Sequence, residues 1–167
     1  MPELTCDHSN HACRDGPCKA PMPRGARLMV TEDLLDAICS PWQGEKPDCI
    51  AVSINGGIPE IVIAEVKDAK GLKMEGVSGV AGAIAGKVHY TLYNLHSCLK
   101  FSSHTIKVKV YVALPFALMP IQVGERVRYY IAQSLKSLRG REPGGLILGC
   151  MVLYDCNGTV WWSSCCS

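Results

Sequence analysis

The sequence has no hydrophobic run long enough to cross a bilayer. The longest apolar run, residues 111 to 121, is shorter than the roughly 20 residues that a spanning helix needs, and it contains Pro115 and Pro120. No secretory signal is visible, because residues 1 to 5 are largely polar and an acidic residue comes early. We therefore expect a soluble, cytoplasmic protein that does not span a membrane.

Internal repeats, low-complexity linkers and C-x-x-C motifs are also missing. Without C-x-x-C, a dithiol redox protein is disfavoured. A chain of 167 residues, 48% hydrophobic, is long enough for one substantial core and too short for two ordinary domains. We expect a Cys/His-rich N-terminal segment over residues 1 to 27. A single α/β domain with a cysteine-bearing hairpin at its end would then occupy residues 28 to 167.

Charge is distributed unevenly along the chain. Residues 61 to 141 contain 12 Lys/Arg and 4 Asp/Glu, a net charge of +8, whereas the other residues contain 5 and 11, a net charge of −6. The basic part would attract a polyanion such as DNA with a salt-sensitive affinity. Ordinary solvated surfaces produce many such excesses, so the charge alone does not identify a nucleic-acid-binding protein.

Three charged residues flank two apolar runs in the most informative part of the chain. Asp48 precedes the first run, an Asn-Gly-Gly turn signal follows, and the second run ends in Glu65 and, two residues later, Lys67. A two-residue loop at Gly56-Gly57 would place Asp48 directly opposite Glu65, and a loop one residue earlier would place it diagonally. Both registers put the carboxylates on one face, which Lys67 shares because strand side chains alternate. A three-residue loop would break this arrangement unless a bulge restored it.

Charges on two apolar strands need partners, because burying an unpaired charge costs several kcal/mol or more. Two carboxylates and a backbone carbonyl suit Mg²⁺ or Mn²⁺, which prefer oxygen ligands. Lys67 would then lie beside a metal-bound water, where it could orient the water or stabilise the charge that develops on a phosphate under attack. On an exposed strand, a Glu-x-Lys triplet is instead an ordinary solvated ion pair.

The combination of Pro47-Asp48, a hairpin and Glu65-x-Lys67 resembles the signature of the PD-(D/E)xK nuclease superfamily. The resemblance covers residues 28 to 140 as a pattern of elements and implies a restriction-endonuclease-like α/β fold, a mixed sheet flanked by helices. It implies Mg²⁺- or Mn²⁺-dependent hydrolysis of DNA phosphodiester bonds, with the metal held by Asp48 and Glu65 and the water served by Lys67. Restriction endonucleases, Holliday-junction resolvases and RecB-like exonucleases all belong to it, so endonuclease and exonuclease activity stay open.

Many members of the superfamily also carry a glutamate in a helix before the aspartate. Glu32 is at the matching position, in a predicted helix that Thr31 would cap, and Asp33 and Asp36 compete for the role. Resolvases and many restriction enzymes are dimers, so the resemblance also implies a homodimer. The glycine-rich segment of residues 76 to 86 is the candidate interface.

Apolar periodicity predicts the elements that follow the motif. We expect a helix from residue 76 to about 100, a strand over 106 to 114, a helix over 121 to 139, and a hairpin over 146 to 162 around an Asn-Gly turn. This order is typical of an α/β sheet flanked by helices.

Four residues after the motif are candidate DNA contacts. Lys70 and Lys73 lie in the basic part of the chain, and His89 and Tyr93 are four apart on one helix face. RecB-like nucleases have a Gln-x-x-x-Tyr motif in this helix, and residues 89 to 93 resemble it with His in place of Gln. A polar helix edge against the sheet would give the same pattern.

Ten cysteines are many for an intracellular protein. They indicate a bound metal, an iron-sulfur cluster, or the disulfides found in hyperthermophile cytosol. Near the N-terminus five residues could bind Zn²⁺, although their spacing matches no standard zinc finger. These residues are Cys6, His8, His11, Cys13 and Cys18.

Of the three explanations for the cysteines, disulfides are favoured over a zinc site, and a zinc site over an iron-sulfur cluster. If the C-terminal hairpin turns where predicted, Cys150 lies opposite Cys165 and a cross-strand disulfide is expected. RecB-like exonucleases bind a 4Fe-4S cluster through a C-x-x-C pair that this chain lacks. Three cysteines within apolar segments are expected to be buried thiols, namely Cys39, Cys49 and Cys98. Two other function classes therefore stay open, a non-catalytic nucleic-acid-binding protein of the same fold and a cysteine-rich metal or redox protein.

Overall fold

The structure, a computed structural model, describes residues 12–23, 26, 28–55, 58–98 and 105–165, with no side-chain description at residues 28, 55, 58 and 70–75. Its strands are β1 (Ala12–Asp15), β2 (Cys18–Pro21), β3 (Leu28–Thr31), β4 (Cys49–Asn55), β5 (Ile58–Val66), β6 (Ile106–Leu114), β7 (Leu146–Asp155) and β8 (Val160–Ser163). Its helices are α1 (Leu35–Ile38), α2 (Ala69–Cys98) and α3 (Ile121–Lys136).

The centre of the fold is a six-stranded mixed sheet with the strand order β3-β4-β5-β6-β7-β8. Strand β4 is antiparallel to both of its neighbours, β3 and β5. Strands β5, β6 and β7 are parallel, and β8 returns antiparallel to β7. Each parallel step needs a crossover connection, which α2 supplies between β5 and β6 and α3 between β6 and β7. The two helices pack against each other and so cover the same face. The predicted α/β class with a mixed sheet and flanking helices is confirmed.

The face covered by α2 and α3, here called the helix face, holds the larger apolar cluster. It combines branched side chains from alternate strand positions with one stripe of each helix, as the period-two and helical patterns require. Examples from the strands are Ile50, Ile61, Ile63, Val110 and Val112, and examples from the helices are Ile84, Val88, Val127 and Ile131. The predicted inward stripes of both helices are confirmed at these positions.

The opposite face, here called the hairpin face, is covered by the two-stranded β1–β2 hairpin. Its cluster is built largely from small residues, including Ala20, Ala51, Ala64, Ala113 and Val62. The hairpin turns through residues 16 and 17, where Gly16 has φ of 55°, a left-handed conformation that favours glycine. Neither this hairpin nor β3 was predicted from the sequence.

Most predicted boundaries downstream of the motif agree with the structure. The strand over 106 to 114 is confirmed, and α3 ends at Lys136, three residues before the predicted end. Helix α2 begins at Ala69 and is interrupted at Gly76, where φ is 73°, so the predicted start at 76 coincides with that interruption. The C-terminal hairpin forms with a bulge between Leu153 and Tyr154.

The helix predicted around Glu32 is much shorter than expected. Residues 32 to 34 form a single 3-10 turn, and α1 adds one α-helical turn. Thr31 is the last residue of β3, and its side chain makes no capping hydrogen bond. Glu32 therefore lies at the end of a sheet strand and is fixed there by its backbone N–H, which donates to the Asp48 carbonyl oxygen at 2.9 Å.

Four cysteine pairs lie at disulfide distance: Cys13–Cys49, Cys18–Cys156, Cys39–Cys98 and Cys150–Cys165. The pair Cys150–Cys165 was predicted from the hairpin register and is confirmed. Buried free thiols at residues 39, 49 and 98 were expected, and this expectation is wrong, because tertiary folding brings each one to a partner far away in sequence.

The disulfides affect two predictions, the zinc site at the N-terminal cysteines and the cytoplasmic location. Cys13 and Cys18, both candidate zinc ligands, are used in disulfides, while Cys6, His8 and His11 lie outside the described residues. Disulfides persist in oxidising compartments and in hyperthermophile cytosol, so a cytoplasmic location now depends on the second of these. Within the described residues no helix has the length and apolarity needed to cross a membrane.

Candidate active site

The two predicted metal-binding carboxylates meet at one end of the β4–β5 hairpin. Asn55 pairs with Ile58 and Cys49 with Ala64, which is the register of a two-residue loop at positions 56 and 57. Continuing that register by one pair places Asp48 opposite Glu65. The Val66 N–H donates to Asp48 Oδ2 at 2.7 Å, which fixes the aspartate against β5. The first of the two predicted registers is therefore the observed one.

Glu65 is a buried carboxylate on the helix face. It follows Ile61 and Ile63 at alternate positions of β5, and its side chain is only 5% exposed. Lys87 of α2 forms an ion pair with it, with Nζ 2.8 Å from Glu65 Oε2. The same Oε2 atom has no aligned hydrogen-bond donor among the described residues. The positive charge of Lys87 therefore compensates the charge of Glu65, but Lys87 donates no aligned hydrogen bond to that oxygen.

Burial and neighbouring charges shift the pKa values of Glu65 and Lys87. Desolvation raises the pKa of Glu65 well above its ordinary value, and the neighbouring Asp48 carboxyl raises it further by hydrogen bonding and by charge. Desolvation lowers the pKa of Lys87, but attraction to Glu65, and then to Asp48 and Glu32, outweighs burial and raises it overall. Glu65 is therefore harder to ionise than an exposed carboxyl, whereas Lys87 opposite it keeps its positive charge.

Lys67, the lysine of the sequence pattern, follows β5 directly, and Lys87 of α2 is a second lysine at this site. Lys67 is partly buried one residue past β5, and its N–H donates to the Ala113 carbonyl oxygen at 3.0 Å. The Lys67 carbonyl oxygen lies 3.6 and 3.7 Å from the sulfur atoms of Cys18 and Cys156. The backbone at Lys67 is thus held between β6 and a disulfide, at the same end of the sheet as the carboxylates.

An open cavity of about 380 Å³ lies next to Asp48. Three elements that end at this edge of the sheet surround it: the β1 strand, the end of β3 with the 3-10 turn, and the start of β4. The lining residues are Ala12, Arg14, Asp15, Thr31, Glu32, Asp33, Asp48 and Cys49. The cavity gives the carboxylates a route to solvent, and four of its eight lining residues are acidic.

Asp36, the third acidic residue considered in the first helix, is committed elsewhere. It accepts a hydrogen bond from Lys46 Nζ at 2.8 Å and another from the Trp42 N–H at 3.2 Å. The Lys46 hydrogen bond is the main reason that the pKa of Asp36 lies below its ordinary value. Glu32 and Asp33 line the cavity, and Asp36 does not.

The loop that leads into Asp48 is fastened to α2. Buried Asn94 accepts a hydrogen bond from the Gln43 N–H at 2.9 Å and donates one to the Gln43 carbonyl oxygen at 2.8 Å. The Cys39–Cys98 disulfide ties the same loop to the end of the helix. These restraints hold the segment before Asp48 on the helix that carries Lys87.

Of the four predicted DNA contacts, the structure describes the side chains of two, and these two do not lie with the carboxylates. His89 and Tyr93 both lie on the exposed side of α2, and His89 packs edge-on against Tyr90 with ring centroids 5.5 Å apart. Helical geometry places position 89 about 200° around the axis from Lys87. Lys70 and Lys73 belong to the first turns of α2, and their side chains lie outside the described residues.

The donor set fits Mg²⁺ or Mn²⁺ with two protein ligands. Among the described residues no three His, Cys, Asp or Glu side chains converge on one metal position. Mg²⁺ commonly binds through one or two carboxylates and completes its shell with water and substrate phosphate. Asp48 and Glu65 supply two carboxylates in contact, one of which has an unsatisfied oxygen.

Two residues of the site were missed at the sequence level. Lys87 carried a usable signal, because it is a lone lysine beside the apolar stripe that contains Ile84 and Val88. Arg14 also carried one, since Asp15-Gly16 is a strong hairpin turn signal. This turn belongs to the β1–β2 hairpin, whose first strand forms one wall of the cavity.

Comparisons with known proteins give no match to a protein-family model, to a curated protein or to a solved structure. The resemblance to the PD-(D/E)xK nucleases therefore depends on its motif residues and on the geometry described above.

Proposed function

We propose that this protein is a divalent-metal-dependent deoxyribonuclease of the PD-(D/E)xK type. The observation that carries the proposal is the contact between Asp48 and the buried Glu65, which are brought together by the hairpin register and lie beside a lysine. The sheet adds support, because the hairpin that bears both acids continues through a helix into a parallel strand, as expected for a restriction-endonuclease-like fold. A bound Mg²⁺ would supply a water of lowered pKa and would neutralise charge on the phosphate.

Each residue of the site has a distinct task in this proposal. Asp48 and Glu65 would hold the metal. Lys87 balances the remaining negative charge and keeps Glu65 oriented toward Asp48. Lys67, at the end of β5, keeps its predicted task of serving the attacking water. Glu32 acts at longer range through its charge, and through its backbone N–H, which fixes the Asp48 carbonyl oxygen.

DNA is the substrate class that the basic part of the chain favours. Helix α3 presents Arg126 and Lys136 to solvent, and its Tyr129 is 57% exposed. Cationic side chains attract the phosphate backbone, and exposed aromatic rings stack on unpaired bases. We also propose that a homodimer forms, since one small domain covers little of a duplex.

Cleavage by the purified protein tests this function directly. Labelled single-stranded, duplex and branched DNA are incubated with Mg²⁺, Mn²⁺ or EDTA, and products are resolved on denaturing gels. We expect metal-dependent cleavage that Asp48→Asn abolishes and that Lys67→Ala reduces by about 100-fold or more. Glu125→Gln, which removes an exposed carboxylate on α3, is the matched control and should cleave normally. Absence of metal-dependent cleavage on all three substrates would refute the proposal.

One observation favours a second candidate, a non-catalytic nucleic-acid-binding protein of the same fold. Lys87 already neutralises Glu65 within the protein, as in a site that no longer needs a metal. For that candidate, salt-sensitive DNA binding would persist in Glu65→Gln and would be the same in Mg²⁺ and EDTA. For the nuclease, Mg²⁺ should bind measurably by calorimetry, and Glu65→Gln should weaken that binding.

A further inference from the structure

The β1–β2 hairpin contributes one cation to the cavity beside Asp48. Arg14 is the only lysine or arginine among the eight lining residues, four of which are acidic. No carboxylate of the described residues lies within ion-pair distance of Arg14. Arg14 is therefore the cation of this lining that an anion in the cavity would meet.

A disulfide links the backbone next to this arginine to the backbone next to Asp48. Cys13 precedes Arg14, Cys49 follows Asp48, and the two cysteines are bonded with their Cα atoms 5.9 Å apart. Cys18 is bonded to Cys156, one residue past β7, so both strands of the hairpin are anchored covalently. Arg14 is thus attached to the residue next to Asp48 through a short covalent path.

We propose that Arg14 binds the substrate by donating hydrogen bonds to the non-bridging oxygens of the phosphodiester that is cut. The assignment rests on the proposed nuclease function and adds a substrate-binding residue from the N-terminal hairpin. A metal held by Asp48 and Glu65 leaves the phosphate with negative charge on its outer oxygens. A planar guanidinium can donate to two such oxygens at once, and a lysine ammonium matches this geometry less well.

Lys19 is a matched control on the same hairpin. It pairs directly with Arg14 across β1 and β2, carries the same charge, and does not line the cavity. Its side chain lies against Gly158 of the β7–β8 turn instead. A general effect of hairpin charge would appear in both Arg14→Ala and Lys19→Ala, whereas a phosphate contact would appear in the first alone.

Binding and cleavage are measured separately for wild type, Arg14→Ala, Arg14→Lys and Lys19→Ala. Fluorescence anisotropy with a labelled single-stranded oligonucleotide in Mg²⁺ at several salt concentrations gives Kd and its salt dependence. We expect Arg14→Ala to weaken binding by about 10- to 100-fold and to lower the magnitude of the log Kd against log salt slope by about 0.7. Arg14→Lys should recover the slope and part of the affinity, and Lys19→Ala should resemble wild type.

In cleavage assays, Arg14→Ala should raise KM far more than it lowers kcat. Equal Kd values and salt slopes for Arg14→Ala and Lys19→Ala would overturn the Arg14 assignment, while Asp48→Asn would still report on the nuclease function. If wild type does not cleave, the nuclease function fails, and the anisotropy comparison still decides whether Arg14 binds the phosphate. Circular dichroism and non-reducing mass analysis confirm that each variant is folded and disulfide-bonded.

Discussion

The two faces of the sheet are held in different ways. On the helix face, two long helices bury large branched side chains such as Ile63, Val110 and Ile131. On the hairpin face, two strands of four residues each cover mainly alanine and valine side chains, and two disulfides hold that cover in place. Small residues bury little apolar area, and covalent links supply the attachment where the hydrophobic effect is weak. The candidate active site lies at the sheet end where both covers meet.

Removing the longer hairpin disulfide should have the largest effect on stability. Cys18 and Cys156 are 138 residues apart, and opening a loop of that length costs about 4 to 5 kcal/mol in chain-entropy terms. Urea unfolding of Cys18→Ser/Cys156→Ser measures this loss. The control is Cys150→Ser/Cys165→Ser, whose separation of 15 residues corresponds to about 3 kcal/mol. A larger loss from the short loop would contradict the role of the hairpin link.

Matched valine truncations compare the packing of the two faces. Val110 faces the helices and Val62 faces the hairpin, and each is only 1% exposed. We expect Val110→Ala to cost about 2 to 3 kcal/mol and Val62→Ala about 1 kcal/mol less, because a cavity among large rigid side chains collapses less completely. Both values come from the same urea titrations. Equal losses would mean that the hairpin face is packed as tightly as the helix face.

The smallest expected effect is a pH dependence that arises from Glu65. Its folded-state pKa is raised above the ordinary value of 4.5, so the folded protein retains a proton that the unfolded chain has released. The stability contributed by neutral Glu65 is complete below pH 4.5 and is lost as pH rises through the folded pKa. Unfolding free energies between pH 5 and 8 should fall less steeply in Glu65→Gln than in wild type. A parallel decline in the two proteins would exclude Glu65 as its source.

Local sequence patterns predicted the parts of the fold that local chemistry determines. The turn signal after β4 allowed two registers, and the pairing of β4 with β5 selects the one that places Glu65 opposite Asp48. The Asn157-Gly158 turn predicted the hairpin that pairs Cys150 with Cys165. In both cases the register follows from loop length, because strand side chains alternate.

The missed parts of the site depend on contacts between distant segments. Lys87 is 22 residues after Glu65 in the chain, and it reaches the carboxylate only because α2 crosses back over the sheet. The partners of Cys39 and Cys49 are likewise 59 and 36 residues away. No local spacing encodes these distances, since they are set by how the helices and the hairpin pack on the sheet.

The Cys18–Cys156 bond also changes the topology of the chain, since it closes residues 18 to 156 into a covalent ring that contains β3 to β7 and all three helices. A protease that cuts once within the ring, for example in the exposed segment near Gly140 and Arg141, opens the ring without dividing the molecule. Such a nicked protein would keep its full mass on a non-reducing gel and separate into two fragments only after reduction. The disulfide also keeps the two fragments at a high effective concentration. The nicked protein is therefore expected to stay folded.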